Sequence, residues 1–549
     1  MRTLPESIRL KSPGPALFAT LAAAAVILAL ATIITDLGGW DETSYMTRGE
    51  AFLTTKPLAD FAPLYSLFYW LLDQATQTPV ALYYAGFFVV ELLLVASFYA
   101  TLRGLSLAPV TAGLLALCLI NIAGRFQPRP GHLALAIVLA ALCLARRRPN
   151  ALHGCILLGG AATIAAYMRP EFALTALLIA ALTLVLLGRA IRGDGAGRLR
   201  LELILLAVWV VGAAALLMML GNPLGARSVT AFGSHFALHY LAWTGSGVER
   251  WMNWQPIYRD VFHDAPGLFK AFETAPAMFL RHVLANLAEF PARFAALLLG
   301  YGVDYVPKSR GMILLGGVTG GAVLLAAIVT LPRRVTFRPR LSWPLLACLA
   351  AFILPGVISV AVIYPHFHYM LPLCVFCLVF ALATLQPRRD QPAPKLLLAA
   401  LAAYLVFYLT AIGWDAGRVV RGDAEFAAVN LPHRTLVTAI EGLGVTAPVG
   451  LLEDVGGIAA YLPANFQWVS GEYKAEPFDD YAAHRSVNMI VLDPLLLGDQ
   501  RFADDPQWRR MLEDPEQAGW RMIAVPHSDF RLLIRPALLP ATWRVDLAS

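Results

Sequence analysis

Residues 15–45 read PALFATLAAAAVILALATIITDLGGWDETSY, and that stretch decides the fold. Residues 15–35 carry no charge, and about 20 mainly apolar residues are what a helix needs to cross roughly 30 Å of hydrocarbon. Directly after the run come Asp36 and then the acidic pair Asp41–Glu42. Carboxylates are costly near hydrocarbon and need a reason to sit where a spanning helix emerges. Two readings are open here: loop acids wetted by water, or a general base or metal ligand at the mouth of a membrane-embedded site. The run follows a basic start (Arg2, Arg9, Lys11), but its apolar core exceeds that of a typical signal peptide and no clear cleavage site follows. It is expected to remain as an anchor.

Composition extends this reading to most of the chain. Of 549 residues, 58% are hydrophobic and 15% charged, against about 25% charged in soluble domains. Eleven runs are candidate spans, near 15–35, 79–102, 106–123, 131–145, 151–167, 171–188, 201–221, 311–331, 342–363, 367–386 and 396–414. The net charge of +6 does not point to nucleic acid, because Lys and Arg gather in short links between these runs, as membrane topology requires. Arg146–Arg148, Arg189, Arg192, Arg198, Arg200, Arg333, Arg334, Arg338, Arg340, Arg388, Arg389 and Lys395 all fall on one side if the N-terminus is cytoplasmic. That orientation makes Phe290–Tyr305 an interfacial or re-entrant helix and places the C-terminal tail outside. All six cysteines (Cys118, Cys143, Cys155, Cys348, Cys374, Cys377) lie in apolar runs, so no disulfide framework is implied.

The expected fold is therefore an α-helical polytopic membrane protein of about eleven transmembrane helices with a small C-terminal α/β periplasmic domain. Residues 1–414 form the membrane domain, with external loops 36–78 and 222–306, and residues 415–549 form the soluble domain. In the first loop, Glu42–Leu53 and Pro63–Leu72 read as short amphipathic helices. The second loop is rich in aromatics, including Trp243, Trp251 and Trp254, which an interfacial belt explains as well as sugar stacking does. In the tail, Val449–Glu453 and Met489–Asp493 read as buried strands, Arg434–Leu443 as a helix, and Arg521–Val525 with Phe530–Arg535 as a hairpin.

With the runs oriented, polar groups collect at the external face: Asp41 and Glu42, then Arg125, Arg129 and His132, then Arg169 and Glu171, then Tyr364, His366, His368 and Tyr369. Acids that take a proton, facing Arg and His that hold an anion, suit transfer from a phosphate-linked donor. Glu91 lies inside a run, a functional hypothesis by default or a partner for a polar group on a neighbouring helix. His235 and His239 stand at i, i+4 and face one side of a helix, with no acid beside them in sequence. Arg48 and Lys56 are candidate phosphate holders or headgroup anchors.

Four segments carry a family resemblance. Trp40-Asp41-Glu42-Thr43-Ser44-Tyr45-Met46-Thr47-Arg48-Gly49 and Phe61-Ala62-Pro63-Leu64-Tyr65-Ser66-Leu67 resemble the acidic-pair and Pro-Leu-Tyr segments of the GT-C glycosyltransferases. Those integral-membrane enzymes use a polyprenyl-phosphate sugar, and include bacterial relatives of protein mannosyltransferases and of the lipid A aminoarabinose transferase. Tyr167-Met168-Arg169-Pro170-Glu171 and Tyr364-Pro365-His366-Phe367-His368-Tyr369-Met370-Leu371-Pro372 resemble two later segments of that family. The resemblance implies inverting transfer in the cell inner membrane, at an extracytoplasmic site beside a hydrophobic donor groove. It makes Asp41 the general base and Glu42 its supporting acid. Arg129, His132, Arg169, His368 and Tyr369 become donor-phosphate residues, and Tyr45, Tyr65, His235 and His239 become acceptor or loop residues. The partners implied are a polyprenyl-phosphate-linked sugar, a glycan, lipid or protein acceptor, and the bilayer.

The chain departs from the family in two places. Arg129-Pro130-Gly131-His132 stands where many members hold an acid that helps bind a divalent cation, and such ions prefer carboxylates. No cofactor is therefore certain; a divalent cation stays open, with Asp41 its candidate ligand. His368-Tyr369 replaces an Arg-Tyr pair, which makes phosphate binding there depend on pH. A transporter or flippase of a lipid-linked glycan is the alternative class, with Glu91 as its key residue.

Overall fold

The structure, a computed structural model, describes residues 14–539 apart from 56, 60, 124–128, 149, 195–198, 225–226, 247–252, 299–321, 324, 327–334, 338, 388–394 and 472–473. Lys56, Arg125, Arg198, Trp251, Arg333, Arg334, Arg338, Arg388, Arg389, the basic N-terminal residues and nearly all of the run 311–331 lie outside that set.

Helices stand where ten of the apolar runs predicted them. They are α1 (Pro15–Ile34), α4 (Pro79–Gly104), α5 (Pro109–Ala123), α6 (Pro130–Arg146), α7 (Ala151–Ala166), α8 (Phe172–Asp194), α9 (Arg200–Leu220), α14 (Trp343–Val362), α15 (Phe367–Thr384) and α16 (Lys395–Val420), with α2, α3 and α10–α13 between them. Seven of the described helices are long and apolar enough to cross a membrane, while α5, α6 and α7 are shorter apolar helices. Apolar side chains such as Val208, Val211, Met218 and Met219 on α9 stay exposed, a surface that suits lipid rather than water. The chain is thus a multi-pass membrane protein with a helical body.

Successive helices run in alternate directions, which sorts their ends. Asp36, Arg129, Arg169 and Tyr364 lie at one end of the helices; Arg103, Arg146, Arg200 and Ser342 mark the other. The first loop folds into α2 (Asp41–Glu50) and α3 (Pro63–Asp73) at the first of these ends. The second loop supplies α10 (Arg227–Thr244), α11 (Trp254–Phe262), α12 (Leu268–Thr274) and α13 (Pro276–Leu298). Helix α13 covers the described part of the segment expected to lie in the interface, and it begins 14 residues earlier, at Pro276 rather than Phe290.

The tail begins inside a helix, because α16 runs without a break through the boundary expected at 414/415. After α17 (Ala424–Asn430) and α18 (Pro432–Gly442) comes a five-stranded sheet in the order β4-β3-β5-β7-β6. Strands β3 (Val449–Leu452), β4 (Phe466–Val469) and β5 (Val487–Leu492) are parallel; β6 (Arg521–Ala524) and β7 (Arg531–Ile534) form the antiparallel hairpin. (The only other described ribbon, β1 at Val335–Phe337 and β2 at Leu385–Pro387, joins α14 to α15 at the far end of the bundle.) Side chains alternate across a strand, so the sheet has two apolar faces. Leu452, Ile490, Leu492 and Leu533 pack under Phe478, Phe502 and Trp508. Leu451, Met489, Val491, Leu532 and Ile534 instead join one continuous core with α18 and the membrane helices. The tail is built onto the bundle, at the end that carries Asp41.

Candidate functional site

The approach to Asp41 is made of glycines for a steric reason. A Cβ on Gly39 would stand 2.8 Å from the Val455 carbonyl oxygen, and one on Gly38 would press on Glu42 and Tyr83. Helix α2 then opens with its two carboxylates in the first turn, where the helix dipole favours negative charge. Consecutive helical residues point about 100° apart, so the pair splits. Glu42, Tyr45, Met46 and Gly49 share the buried face, and Gly49 lets α3 cross so closely that a Cβ would lie 2.8 Å from Tyr69.

Glu42 is fully enclosed. Its Oε1 accepts hydrogen bonds from the Tyr65 hydroxyl at 3.0 Å and from the Tyr69 hydroxyl, two donors at i, i+4 on α3. Burial pushes its pKa up to about 7, against the opposing effects of Tyr69, Arg129 and Tyr65. Asp41 is 44% exposed, and its Oδ2 accepts from Arg227 Nη2 at 2.7 Å. The same nitrogen donates to the Tyr45 hydroxyl at 2.7 Å, and the guanidinium lies 4.4 Å over the Phe61 ring. Asp41, Tyr45 and Arg227 therefore form one unit drawn from α2 and the start of α10. Arg48 also lies over the Phe61 ring, at 4.6 Å, and lines a small cavity with Phe52, Leu58 and Ser66.

A second group comes from three helix ends. Arg169, between α7 and α8, bonds Glu171 at 2.8 Å and lies 4.7 Å over the Tyr369 ring. Gly131 brings the head of α6 against it: a Cβ there would be 3.9 Å from Arg169 and from the His368 carbonyl oxygen. Arg129 is within electrostatic reach of Glu42, and Arg169 of Arg227, so the two groups adjoin. His366 and His368 have ring centroids 4.4 Å apart, and Nδ1 of His368 is buried without a protein partner.

Of the residues read as site candidates, Asp41, Tyr45, Arg129, Arg169, His368 and Tyr369 gather at this mouth, with Glu42 and Tyr65 just beneath. His132 does not join them through its Nδ1, which contacts Glu91 Oε1 at 2.6 Å with both side chains fully buried. That contact gives Glu91 the neighbouring polar partner foreseen for it. His235 and His239 each meet partners within the protein. Nδ1 of His235 meets the Ala231 carbonyl at 2.6 Å and its ring stacks on Tyr364 at 4.8 Å. His239 contacts His282 at 2.9 Å and Glu289 at 3.0 Å. An acid does stand beside His239, then, supplied by α13 rather than by its own helix. Burial lowers His235 to about 3 and His282 to about 4, so neither acts as a cation near neutral pH.

Sequence reading missed Arg227, Tyr69, His282 and Glu289. Arg227 gave no signal beyond being a lone cation at the head of an amphipathic helix, far from Asp41 in the chain. Tyr69 had one: with Tyr65 it completes an i, i+4 pair on the predicted loop helix. Among the described residues, no three His, Cys, Asp or Glu side chains converge as a metal would need. With Asp41 committed to Arg227, the donor set here does not fit an oxygen-ligated cation.

The tail grips the same segment from behind. Asp36 caps α18, accepting from the backbone N–H of His433 and Arg434 at 3.0 and 2.9 Å. The Gly456 carbonyl accepts from the Trp40 N–H at 2.6 Å and from Thr43 Oγ1 at 2.7 Å, and the Tyr461 hydroxyl donates to the Gly38 carbonyl at 2.6 Å. Glu453 holds that loop by accepting from the N–H groups of Gly456 and Ile458. Burial, then Asp454 and Asp493, raise Glu453 to about 8.

No family model and no curated protein matches the chain. Among solved structures, ArnT from Cupriavidus metallidurans bound to undecaprenyl phosphate is similar with a TM-score of 0.39 and 13% identity, over 95% of this chain and 99% of that one. The oligosaccharyltransferase AglB from Archaeoglobus fulgidus, in complex with an inhibitory peptide and a dolichol-phosphate, is similar with a TM-score of 0.38 and 14% identity, over 96% of this chain and 75% of that one. Both belong to the GT-C superfamily that the sequence motifs resemble. At such scores neither one says more about this chain.

Proposed function

We propose that this chain is an inverting membrane glycosyltransferase that moves a sugar from a polyprenyl-phosphate-linked donor to an extracytoplasmic acceptor, with Asp41 as general base. The observation that carries this reading is the pairing at the mouth: a half-exposed carboxylate, oriented by Arg227 and Tyr45, beside a separate cationic group built on Arg169 and Arg129. A proton acceptor and an anion holder on adjoining sites are what the reaction needs. Asp41 takes the proton of an acceptor hydroxyl as that oxygen bonds to the anomeric carbon. The carbon–phosphate oxygen bond breaks on the opposite face, and the electron pair leaves with the polyprenyl phosphate. Arg169 and Arg129 offset the charge that grows there. Arg227 binds one carboxylate oxygen, which fixes the other for the proton.

In this reading the buried Glu42 has a different task. Held by two tyrosine hydroxyls and fully enclosed, it sets the floor under Asp41 and does not meet substrate. The basic links expected at the far end of the bundle support an orientation with that end in the cytoplasm and the mouth and tail outside. The test compares envelope glycans by mass spectrometry with and without the protein. Loss of one sugar, restored by the parent chain and not by Asp41→Asn, supports the reading; an unchanged glycan profile overturns it. A transporter would rely on Glu91 instead, so Glu91→Gln abolishing glycan export while Asp41→Asn leaves it intact would favour that class.

A further inference from the structure

At the far end of the bundle, opposite Asp41, a cavity is lined by Arg146, Arg148, Ala151, Arg340, Leu341, Ser342 and Leu345. Three chain segments meet in it. Helix α6 ends at Arg146, helix α7 begins at Ala151, and Arg340–Ser342 lead into α14. The helices that end here span the bundle: α6 alone rises roughly 21 Å between His132 and Arg146. This site is therefore separate from the mouth.

Its chemistry is one-sided. Among the described residues, three guanidinium groups line it and none of the lining residues is acidic. Arg146 and Arg340 are within electrostatic reach of each other, a like-charge approach that an anion between them would relieve. Nη1 of Arg340 is buried with no hydrogen-bond partner, an unspent donor on a charged group. Two helix N-termini, those of α7 and α14, bring partial positive charge to the same space, and Ser342 at the head of α14 makes no capping bond with its side chain. Leu341, Leu345 and Ala151 supply an apolar wall beside the cations.

We infer that this cavity is a binding site for a phosphate mono- or diester, carried by the headgroup of an anionic membrane lipid or by a soluble phosphate. Guanidinium forks match phosphate oxygens in pairs, and two or three of them balance one phosphate group. The apolar wall and the position where the helices leave the bilayer suit a lipid headgroup, because basic pockets between membrane helices on the positively charged side collect anionic lipids. A lipid held here would tie α6, α7 and α14 together. The other ends of those helices carry Arg129, Arg169 and Tyr364.

The test uses the purified full chain in neutral detergent and native mass spectrometry, with phosphatidylglycerol, phosphatidylcholine and inorganic phosphate as probes. One phosphatidylglycerol should be retained in preference to phosphatidylcholine, and Arg146→Ala with Arg340→Ala should weaken that retention at least tenfold. Arg148→Ala, at an exposed side chain, should weaken it severalfold without loss of the folded chain, and Asp41→Asn should leave it unchanged. Competition by millimolar inorganic phosphate would mark the soluble source; retention despite it would mark the lipid. Equal retention of the two lipids with no bound phosphate, or phosphatidylglycerol binding unaffected in both arginine variants, overturns the inference.

Discussion

Helix α2 has two faces, and neighbouring carboxylates on them live in different media. On the outer face Asp41 meets solvent and a guanidinium; on the inner face Glu42 meets two tyrosine hydroxyls and no solvent at all. One residue of helical rotation makes the difference. An acidic pair in sequence is thus not a pair in environment: the exposed member is open to solvent and a cation, and the enclosed one holds a negative charge or a proton at structural cost.

The largest contrast expected is between the isosteric variants of the two acids. Asp41→Asn should lower turnover by about 10²–10⁴ while leaving donor binding intact, as removal of a general base does. Equal losses from Asp41→Asn and Glu42→Gln in steady-state kinetics would break the comparison. Arg227→Ala comes next, with a loss of about 10²-fold, because a misplaced base forfeits orientation; Arg227→Lys should recover only part, lacking the fork that reaches Asp41 and Tyr45 together.

Glu42→Gln sharpens the comparison through pH. The folded pKa of Glu42 is raised from 4.5 to about 7, so the folded chain binds a proton there that the unfolded chain releases. The stability this contributes is fully present below about 4.5 and lost as pH rises through about 7. Thermal unfolding of the parent should therefore fall across that window, and Glu42→Gln should flatten the fall, with turnover reduced less than about tenfold. Glu453 in the tail, raised to about 8, adds a loss of the same sign that extends to higher pH and that Glu453→Gln should remove.

The smallest effect tests the grip on α2 from behind. Gly456 has φ +111 and a Cβ there would meet the Trp40 nitrogen at 2.5 Å, so Gly456→Ala should cost about 1–3 kcal/mol in stability. Tyr461→Phe should cost about 1 kcal/mol for its lost bond to Gly38. Both should lower turnover more than they alter donor affinity, as a displaced Asp41 would.

Much of the helical body was legible because apolar length is a direct physical signal. The runs near 15–35 and 201–221 became α1 and α9 within a residue or two. The loop helices were legible too, since Pro63 starts one and the acidic pair starts the other. In the tail, parallel β4 escaped notice because Phe466–Val469 lies at the sheet edge, with exposed Gln467 and Trp468 hiding its apolar content. Site residues were legible only where they sit beside a span end. Asp41, Arg169 and His368 do; Arg227 reaches the site, and Glu289 reaches His239, through long-range packing that no local spacing announces. Nor could periodicity show that the tail clasps Gly38–Thr43, since that contact is made largely by backbone groups every residue possesses.

Release of free polyprenyl phosphate from a panel of isotopically labelled polyprenyl-phosphate sugars, by the purified protein in liposomes, tests the role of Asp41 most directly. The parent chain should release it from at least one donor when an acceptor is present, and Asp41→Asn should bind that donor yet release at least 100-fold less. Equal release by the two proteins, or none by the parent from any donor and acceptor, would contradict the account.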